Sequence, residues 1–261
     1  MLGFVGGMLG GFARFLADLQ ELAVFSGRVL RGCFRGPFYF RDTYEQAYVA
    51  GVGSLHLALI SSFFAGQALG LQFSRQLAET GTTTLLGMLM TISVVRALGP
   101  DLIGLVVAAR LASGYTAEIG AMKSANQIDA LVAFGTDPVR KLAVPRVVAL
   151  FFMLPVLVIL GDVVALMGGA IMAKFVAHTS LSLYWSQVSR ELKFGTILIG
   201  LVKPAVFAVL IALIGCWKGF TTSGGTRGVG RSTTESVTIV SVMILITDFM
   251  LTRVLFAILH W

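Results

Sequence analysis

Residues 46–74 read QAYVAGVGSLHLALISSFFAGQALGLQFS and contain no Asp, Glu, Lys or Arg. A helix of about 20 apolar residues crosses the hydrocarbon core of a bilayer, so this stretch predicts a membrane span at about Val49–Leu71. The whole chain has this character: 56% of its 261 residues are hydrophobic and 13% are charged. Soluble domains carry about 25% charged residues. The composition therefore excludes a soluble enzyme, a disordered chain and a disulfide scaffold, and indicates an integral membrane protein.

Four more apolar stretches follow. The first of these four, Thr82–Ala117, is longer than one crossing requires. We expect its helix to continue out of the membrane, with a kink at Gly99-Pro100 because proline lacks an amide donor. In the first span, Gly66 and Gly70 are four residues apart and favour close contact with another helix. The sequence predicts an all-α integral membrane fold, with further spans at about Leu85–Ala108, Val147–Ala173, Gly195–Trp217 and Ser236–Leu259.

The orientation follows from the basic residues between the spans. With a cytoplasmic amino terminus, segments 1–46, 113–146 and 218–235 lie inside and contain twelve Lys and Arg residues, against four in the outside segments. Cytoplasmic loops carry the excess of Lys and Arg. We therefore expect the amino terminus in the cytoplasm and, after five spans, the carboxyl terminus outside.

The segment before the first span has a different pattern. Residues 11–32 predict an amphipathic helix that lies in the membrane interface, although Phe25 interrupts its polar face. Gly36-Pro37 is expected to end this helix. The predicted organisation is an N-terminal cytoplasmic or interfacial segment, 1–46, and a transmembrane domain, 47–261. The apolar face comprises Phe12, Phe15, Leu16, Leu19 and Ala23, and the polar face Arg14, Asp18, Glu21 and Arg28.

The cytoplasmic connection 113–146 is too long for an ordinary loop. Apolar residues at helical spacing, from Ala121 through Ile128 to Leu131, predict a surface helix over 121–135 that ends at Gly135. Periodicity alone favours an interfacial helix with no further role.

Several motifs are more specific than the apolar spans. They are EIGAMK at 118–123, residues 127–135, Asp137-Pro138, Pro145-Arg146, RALGP at 96–100, GVGRSTT at 228–234 and TDF at 247–249. Over residues 45–261 the chain resembles the MlaE/YrbE family, the permease subunits of MCE-type ABC lipid transporters. Two positions differ from the family pattern: Ala97 stands where glutamate is usual, and Glu235 where arginine is usual.

The resemblance implies a homodimer in the bacterial inner membrane, with a cavity for phospholipid between the two copies. It also implies a cytoplasmic ABC ATPase that holds ATP and Mg, an MCE-domain ring in the periplasm, and a STAS-domain protein as an accessory partner. We expect this chain itself to be non-catalytic, without a cofactor, a metal site or a nucleic-acid partner. The predicted ATPase-coupling residues are Glu118, Lys123, Gln127, Asp129, Ala130, Phe134 and Gly135.

Two of the cations within the predicted spans are candidates for binding a ligand. A charge in a bilayer costs about 2.5–3.5 kcal/mol on insertion scales and usually faces a cavity or a partner. Arg96 and Lys203 could therefore hold a lipid phosphate by charge-assisted hydrogen bonds, a role that rests mainly on the resemblance. The alternative is structural, with Arg96 paired to Asp101 or another acid and Lys203 extended to the membrane surface. For the other intramembrane charges, Asp162, Asp248 and Arg253, we expect structural roles.

Two other functions were weighed. An ion-coupled secondary transporter or channel for a small amphiphile predicts paired carboxylates and broken helices in two related halves. The sequence has one predicted kink and no internal repeat. An intramembrane enzyme needs a cluster of catalytic side chains, but the three histidines are isolated from one another. The leading prediction is an ABC permease that moves lipid between the inner membrane and a periplasmic carrier.

Overall fold

The computed structural model describes the backbone of residues 2–34 and 39–259, and the side chains of 17–33 and 39–258. Within these ranges all regular structure is helical, which confirms the predicted all-α class. The predicted break at Gly36-Pro37 lies outside the described residues. Five helical segments are long and apolar enough to span a membrane: Phe40–Glu79, Thr83–Ser124, Val139–Phe175, Phe194–Thr221 and Gly225–Ile258.

The second of these spans is interrupted by a π-helical turn, and the third begins with one. The second consists of a 3₁₀ turn (Thr83–Leu85), α3, a π-helix (Val94–Leu98) and α4, and the third of a π-helix (Val139–Ala143) and α6. The α-helices are α1 (Leu2–Phe34), α2 (Phe40–Glu79), α3 (Leu86–Ser93), α4 (Gly99–Ser124), α5 (Gln127–Ala133), α6 (Val144–Phe175), α7 (Leu181–Glu191), α8 (Phe194–Thr221) and α9 (Gly225–Leu259).

Helices α2 and α6 pack closely because small residues line the contact. A Cβ atom on Gly66 would overlap the backbone carbonyl of Ala165, and one on Gly70 would lie 3.0 Å from the Cα of Gly169. Small side chains allow helix backbones to approach in a membrane, where packing replaces the hydrophobic effect. The buried face of α2 repeats such residues every four positions: Ala50, Ser54, Ala58, Ser62, Gly66, Gly70 and Ser74.

Helix α4 is central, because it contacts both α8 and α9. Ile103, Val107 and Leu111 of α4 form one apolar core with Phe207 and Ile211 of α8. By contrast, α9 is buried on one side alone: 11% of its apolar window is buried, against 56% in α8. The fifth span therefore leaves a long apolar face open to lipid or to another protein.

Helix α1 is longer than predicted and packs through a different face. It extends over Leu2–Phe34, beyond the predicted 11–32 at both ends. Among the described side chains of α1, residues 17–33, the buried large apolar ones are Phe25 and Val29, and the Phe25 ring lies 5.7 Å from that of Phe220 on α8. Phe12, Phe15 and Leu16 of the predicted apolar face lie outside the described side chains. Leu19, on the predicted apolar face, is exposed. Phe25, which interrupts the predicted polar face of α1, therefore packs α1 against the bundle.

Candidate functional site

The interruption of the second span creates a binding position for Lys203. Pro100 has no amide N–H to donate to the carbonyl of Arg96, four residues earlier. Lys203 Nζ, from α8, donates a 2.8 Å hydrogen bond to that carbonyl oxygen. A π-helical turn comes directly before Gly99-Pro100, and its Arg96 carbonyl oxygen binds the buried Lys203. The kink expected at Gly99-Pro100 stays a prediction.

Lys203 also forms an ion pair with Asp248, 2.6 Å away on α9. Its side chain is 1% exposed, so the alternative in which Lys203 extends to the membrane surface is wrong. Asp248 has a structural role, as predicted: its carboxylate pairs with Lys203 and so joins α9 to α8. Lys203 thereby connects three elements, the π-helix of the second span, α8 and α9.

Arg96 is buried beside this pair. Its Nε and Nη2 donate hydrogen bonds of 3.2 Å and 2.8 Å to Thr196 Oγ1 at the start of α8. Both predicted lipid-binding cations thus contact protein groups: the Arg96 guanidinium lies against Thr196, and Lys203 Nζ binds the Arg96 carbonyl oxygen. Their binding of lipid phosphate stays a prediction.

Asp101, considered above only as a partner for Arg96, also lies in this group of charges. Its carboxyl group lies beside that of Asp248, close enough to share a hydrogen bond, and near Lys203. The position of Asp101 relative to Ala97 could have indicated its role. Asp101 follows Ala97 by four residues, about one helical turn. By the resemblance described above, Ala97 stands where glutamate is usual. The second span therefore keeps a carboxyl group close to the position where the usual one is missing. We call Arg96, Asp101, Lys203 and Asp248 the charged cluster.

The predicted surface helix is present but shorter than expected. Residues 121–124 belong to the end of α4, and α5 spans Gln127–Ala133. The break comes from Asn126, whose φ of 56° is left-handed and ends the preceding helix. Gly135, at φ 73°, ends α5 as predicted, because glycine adopts this conformation without strain. Glu118 and Lys123 therefore lie on α4 and not on the surface helix.

Helix α5 presents an exposed surface. Gln127, Asp129 and Ala130 are exposed, and the Phe134 side chain that follows the helix is 85% exposed. A phenylalanine this exposed at the end of a helix is suited to insertion into a pocket of a partner protein. The predicted coupling residues from Gln127 to Gly135 thus form one accessible surface.

The helices on either side of α5 are joined directly beneath it. Arg146 of α6 donates a 2.6 Å hydrogen bond to Glu118 of α4, and its side chain is buried. Lys123 donates to the carbonyl oxygen of Phe220 on α8. These two contacts join α4 to α6 and to α8 close to α5.

Asn126 provides a first test of this geometry. Asn126→Val is expected to destabilise the turn by about 1–2 kcal/mol, because a β-branched residue disfavours positive φ. Asn126→Gly should be tolerated. Limited proteolysis at 124–136 measures the difference: faster cleavage in N126V than in N126G is expected, and equal rates would contradict the proposed role of the left-handed turn.

Comparison with known proteins decides the family. Residues 43–254 match the family model described as permease MlaE. The chain belongs to the MlaE permease family. It is 35% identical over 247 residues to a probable ABC transporter permease protein of Rickettsia typhi, covering 93% of this chain and 94% of the relative. A probable ABC transporter permease protein of Synechocystis is 36% identical over 231 residues, 88% of each chain.

A third MlaE relative comes from a plant. Protein TRIGALACTOSYLDIACYLGLYCEROL 1, chloroplastic, of Arabidopsis thaliana is 33% identical over 236 residues, covering 90% of this chain and 67% of the relative. The matched region of the MlaE model includes all five spans except the ends of the first and last, together with α5 and the charged cluster. The chain is thus a multi-pass transmembrane permease.

Proposed function

We propose that this MlaE permease moves phospholipid between the bacterial inner membrane and a periplasmic MCE carrier, driven by ATP hydrolysis on a separate ABC ATPase. The observation that carries this proposal is the position of α5. It is an exposed helix between α4, which contributes Asp101 to the charged cluster, and α6, to which Arg146 joins α4. Force on α5 would therefore reach the buried charges through rigid helices.

Lipid is the substrate class that the charged cluster supports best. Lipid phosphate is an anion carried on an apolar body, and Arg96 and Lys203 are cations in an apolar surrounding. The Arabidopsis relative is named after a glycolipid, trigalactosyldiacylglycerol. We propose that phosphate takes the place of Thr196 and Asp248 as the partner of these cations when α4, α8 and α9 separate.

The partners follow the same reasoning. The exposed apolar face of α9, which includes Val242, Leu245 and Phe249, would pair with a second copy to form the lipid cavity. The end of the bundle with α1 and α5 would face the cytoplasm, and the end with α7 the MCE ring in the periplasm. A STAS-domain protein would be accessory. ATP and Mg would belong to the ATPase, and this chain would be non-catalytic.

The coupling role predicts a selective loss of ATPase binding. Phe134→Ala is expected to abolish co-purification of the ATPase, because it removes the most exposed aromatic group at the end of α5. Asp129→Ala should weaken it. Phe194→Ala is the matched control, since this side chain is 80% exposed at the opposite end of the bundle. Pull-down in mild detergent measures binding, and unchanged binding by F134A would refute the coupling role.

The substrate role predicts a loss of bound lipid. Arg96→Gln is expected to lower the phospholipid that co-purifies with the assembly, because it removes a fixed positive charge from the cluster. Arg110→Gln is the control, as Arg110 is also within the second span and donates a 3.1 Å hydrogen bond to Ser54. Lipid is quantified by mass spectrometry. Equal lipid in both variants would show that Arg96 is structural.

One observation favours the ion-coupled alternative. The adjoining carboxyl groups of Asp101 and Asp248 are the kind of pair that carries protons in secondary transporters. Transport assays distinguish the two functions. A permease of the proposed type moves lipid only with ATPase and ATP, whereas a proton-coupled carrier works with a pH gradient and no ATPase.

A further inference from the structure

A groove separate from the charged cluster lies between α1, the end of α8 and the start of α9. One part of it is apolar, has a volume of about 430 Å³ and is lined by Val24, Phe25 and Phe220. A polar part of about 320 Å³ adjoins it, and Glu21 and Trp217 line both. The groove lies at the same end of the bundle as α5, the end predicted to be cytoplasmic. It is therefore amphiphilic and placed at the level of the lipid headgroups.

The polar part carries both signs of charge. Lys218 Nζ lies 3.0 Å from Glu235 Oε2, and Arg231 Nε lies 2.8 Å from Glu235 Oε1. Asp18 and Glu21 of α1 face them across the groove. Such an arrangement complements a ligand that itself bears a positive and a negative group.

Trp217 stands where the two parts meet. Its side chain is 6% exposed, and its buried indole Nε1 has no hydrogen-bond partner among the described residues. An indole N–H can only donate, and a buried donor without an acceptor is unfavourable. Lys218 Nζ lies 5.0 Å from the centroid of the same ring. Because Nε1 has almost no exposed surface, a ligand in the groove would contact the indole ring and Lys218, and not this N–H.

We propose that this groove binds a zwitterionic phospholipid of the cytoplasmic leaflet. Its phosphate oxygens accept hydrogen bonds from Lys218 and Arg231, and its ammonium group faces Glu21. An acyl chain lies against Phe25 and Phe220. This groove is separate from the transport cavity proposed above. The lipid bound in it would hold α1 against α8 and α9, and its binding would not require the ATPase.

Fluorescence of Trp217 tests the proposal directly. The other two tryptophans are replaced in the variant W185F/W261F, so that Trp217 is the only fluorophore. The full chain is placed in nanodiscs of phosphatidylglycerol that contain increasing fractions of brominated phosphatidylethanolamine, whose bromines quench nearby indoles. We expect saturable quenching at low fractions of the brominated lipid. Quenching that rises only linearly with the fraction would overturn the proposal.

Matched variants then test the charges. E21Q/R231Q in the same background should require at least about ten-fold more brominated phosphatidylethanolamine, since two charge-assisted contacts are lost. The control R75Q/E79Q removes an exposed pair of opposite charges on α2 and should bind as the parent does. Circular dichroism establishes that each variant is folded. Equal quenching of E21Q/R231Q and parent would overturn the proposed contacts.

Two further measurements identify the ligand. Brominated phosphatidylglycerol should quench Trp217 less than the zwitterionic lipid at the same fraction, and equal quenching would overturn the selectivity. Millimolar inorganic phosphate should leave the quenching unchanged. If phosphate reverses it, free phosphate is the ligand and the lipid proposal is wrong.

Discussion

Lys203→Met is expected to destabilise the folded chain by about 3–5 kcal/mol, the usual result of removing one partner from a buried ion pair. Asp248 would then lie next to Asp101 without the lysine that pairs with it. The carbonyl of Arg96 would also lose its hydrogen bond. Thermal unfolding of the detergent-solubilised protein measures the loss.

The double variant K203M/D248N separates the charge from the packing. Replacing both partners of a buried pair by neutral groups of similar size is often close to neutral, so much of the stability should return. A double variant no more stable than K203M would contradict the assignment of Asp248 as the partner. If K203M itself unfolded as the parent does, Lys203 would not join the three elements.

Gly66→Leu is expected to separate α2 from α6. Even a single added methyl group would overlap the carbonyl of Ala165, so a leucine cannot fit unless the two backbones move apart. Overpacking of a tight contact costs about 1–3 kcal/mol and sometimes more. Because an added Cβ at the neighbouring Gly70 would also lie only 3.0 Å from the Cα of Gly169, we expect the upper end of this range, with reduced yield of folded protein.

Gly114→Ala provides the control for this prediction. An added Cβ at Gly114 of α4 meets no atom within 4 Å, and alanine favours the helix more than glycine does. Melting temperature should be unchanged or slightly higher. If G66L melted like G114A, close packing would not hold α2 to α6.

The sequence predicted the spans well because each is a long apolar run, and bilayer thickness sets its length. It did not predict α7, which is short and partly polar. There Ser180 accepts a hydrogen bond from the Leu183 amide, and Tyr184 is buried. Gly66 and Gly70 indicated a close contact, but periodicity on one helix cannot identify its partner. That α6 is the partner is a property of the packed bundle.

In the candidate sites, too, some residues could be predicted from the sequence, whereas their partners could not. Arg96 and Lys203 could be selected because a charge in an apolar run is conspicuous. Their partners, Thr196 and Asp248, lie on other helices, about 100 and 45 residues away in sequence, and pairing across a bundle has no local signature. The surface helix was predicted from its periodicity and from Gly135. Its start was misplaced because asparagine at a left-handed position resembles asparagine within a helix.

We propose that this MlaE permease couples an ATPase bound at its α5 surface to the movement of lipid within the membrane. Native mass spectrometry of the assembly, extracted from its own membrane in mild detergent, tests it most directly. We predict one particle that contains two copies of this chain, ABC ATPase subunits and bound phospholipid. A particle that holds lipid and translocates it with no ATPase subunit would contradict the claim.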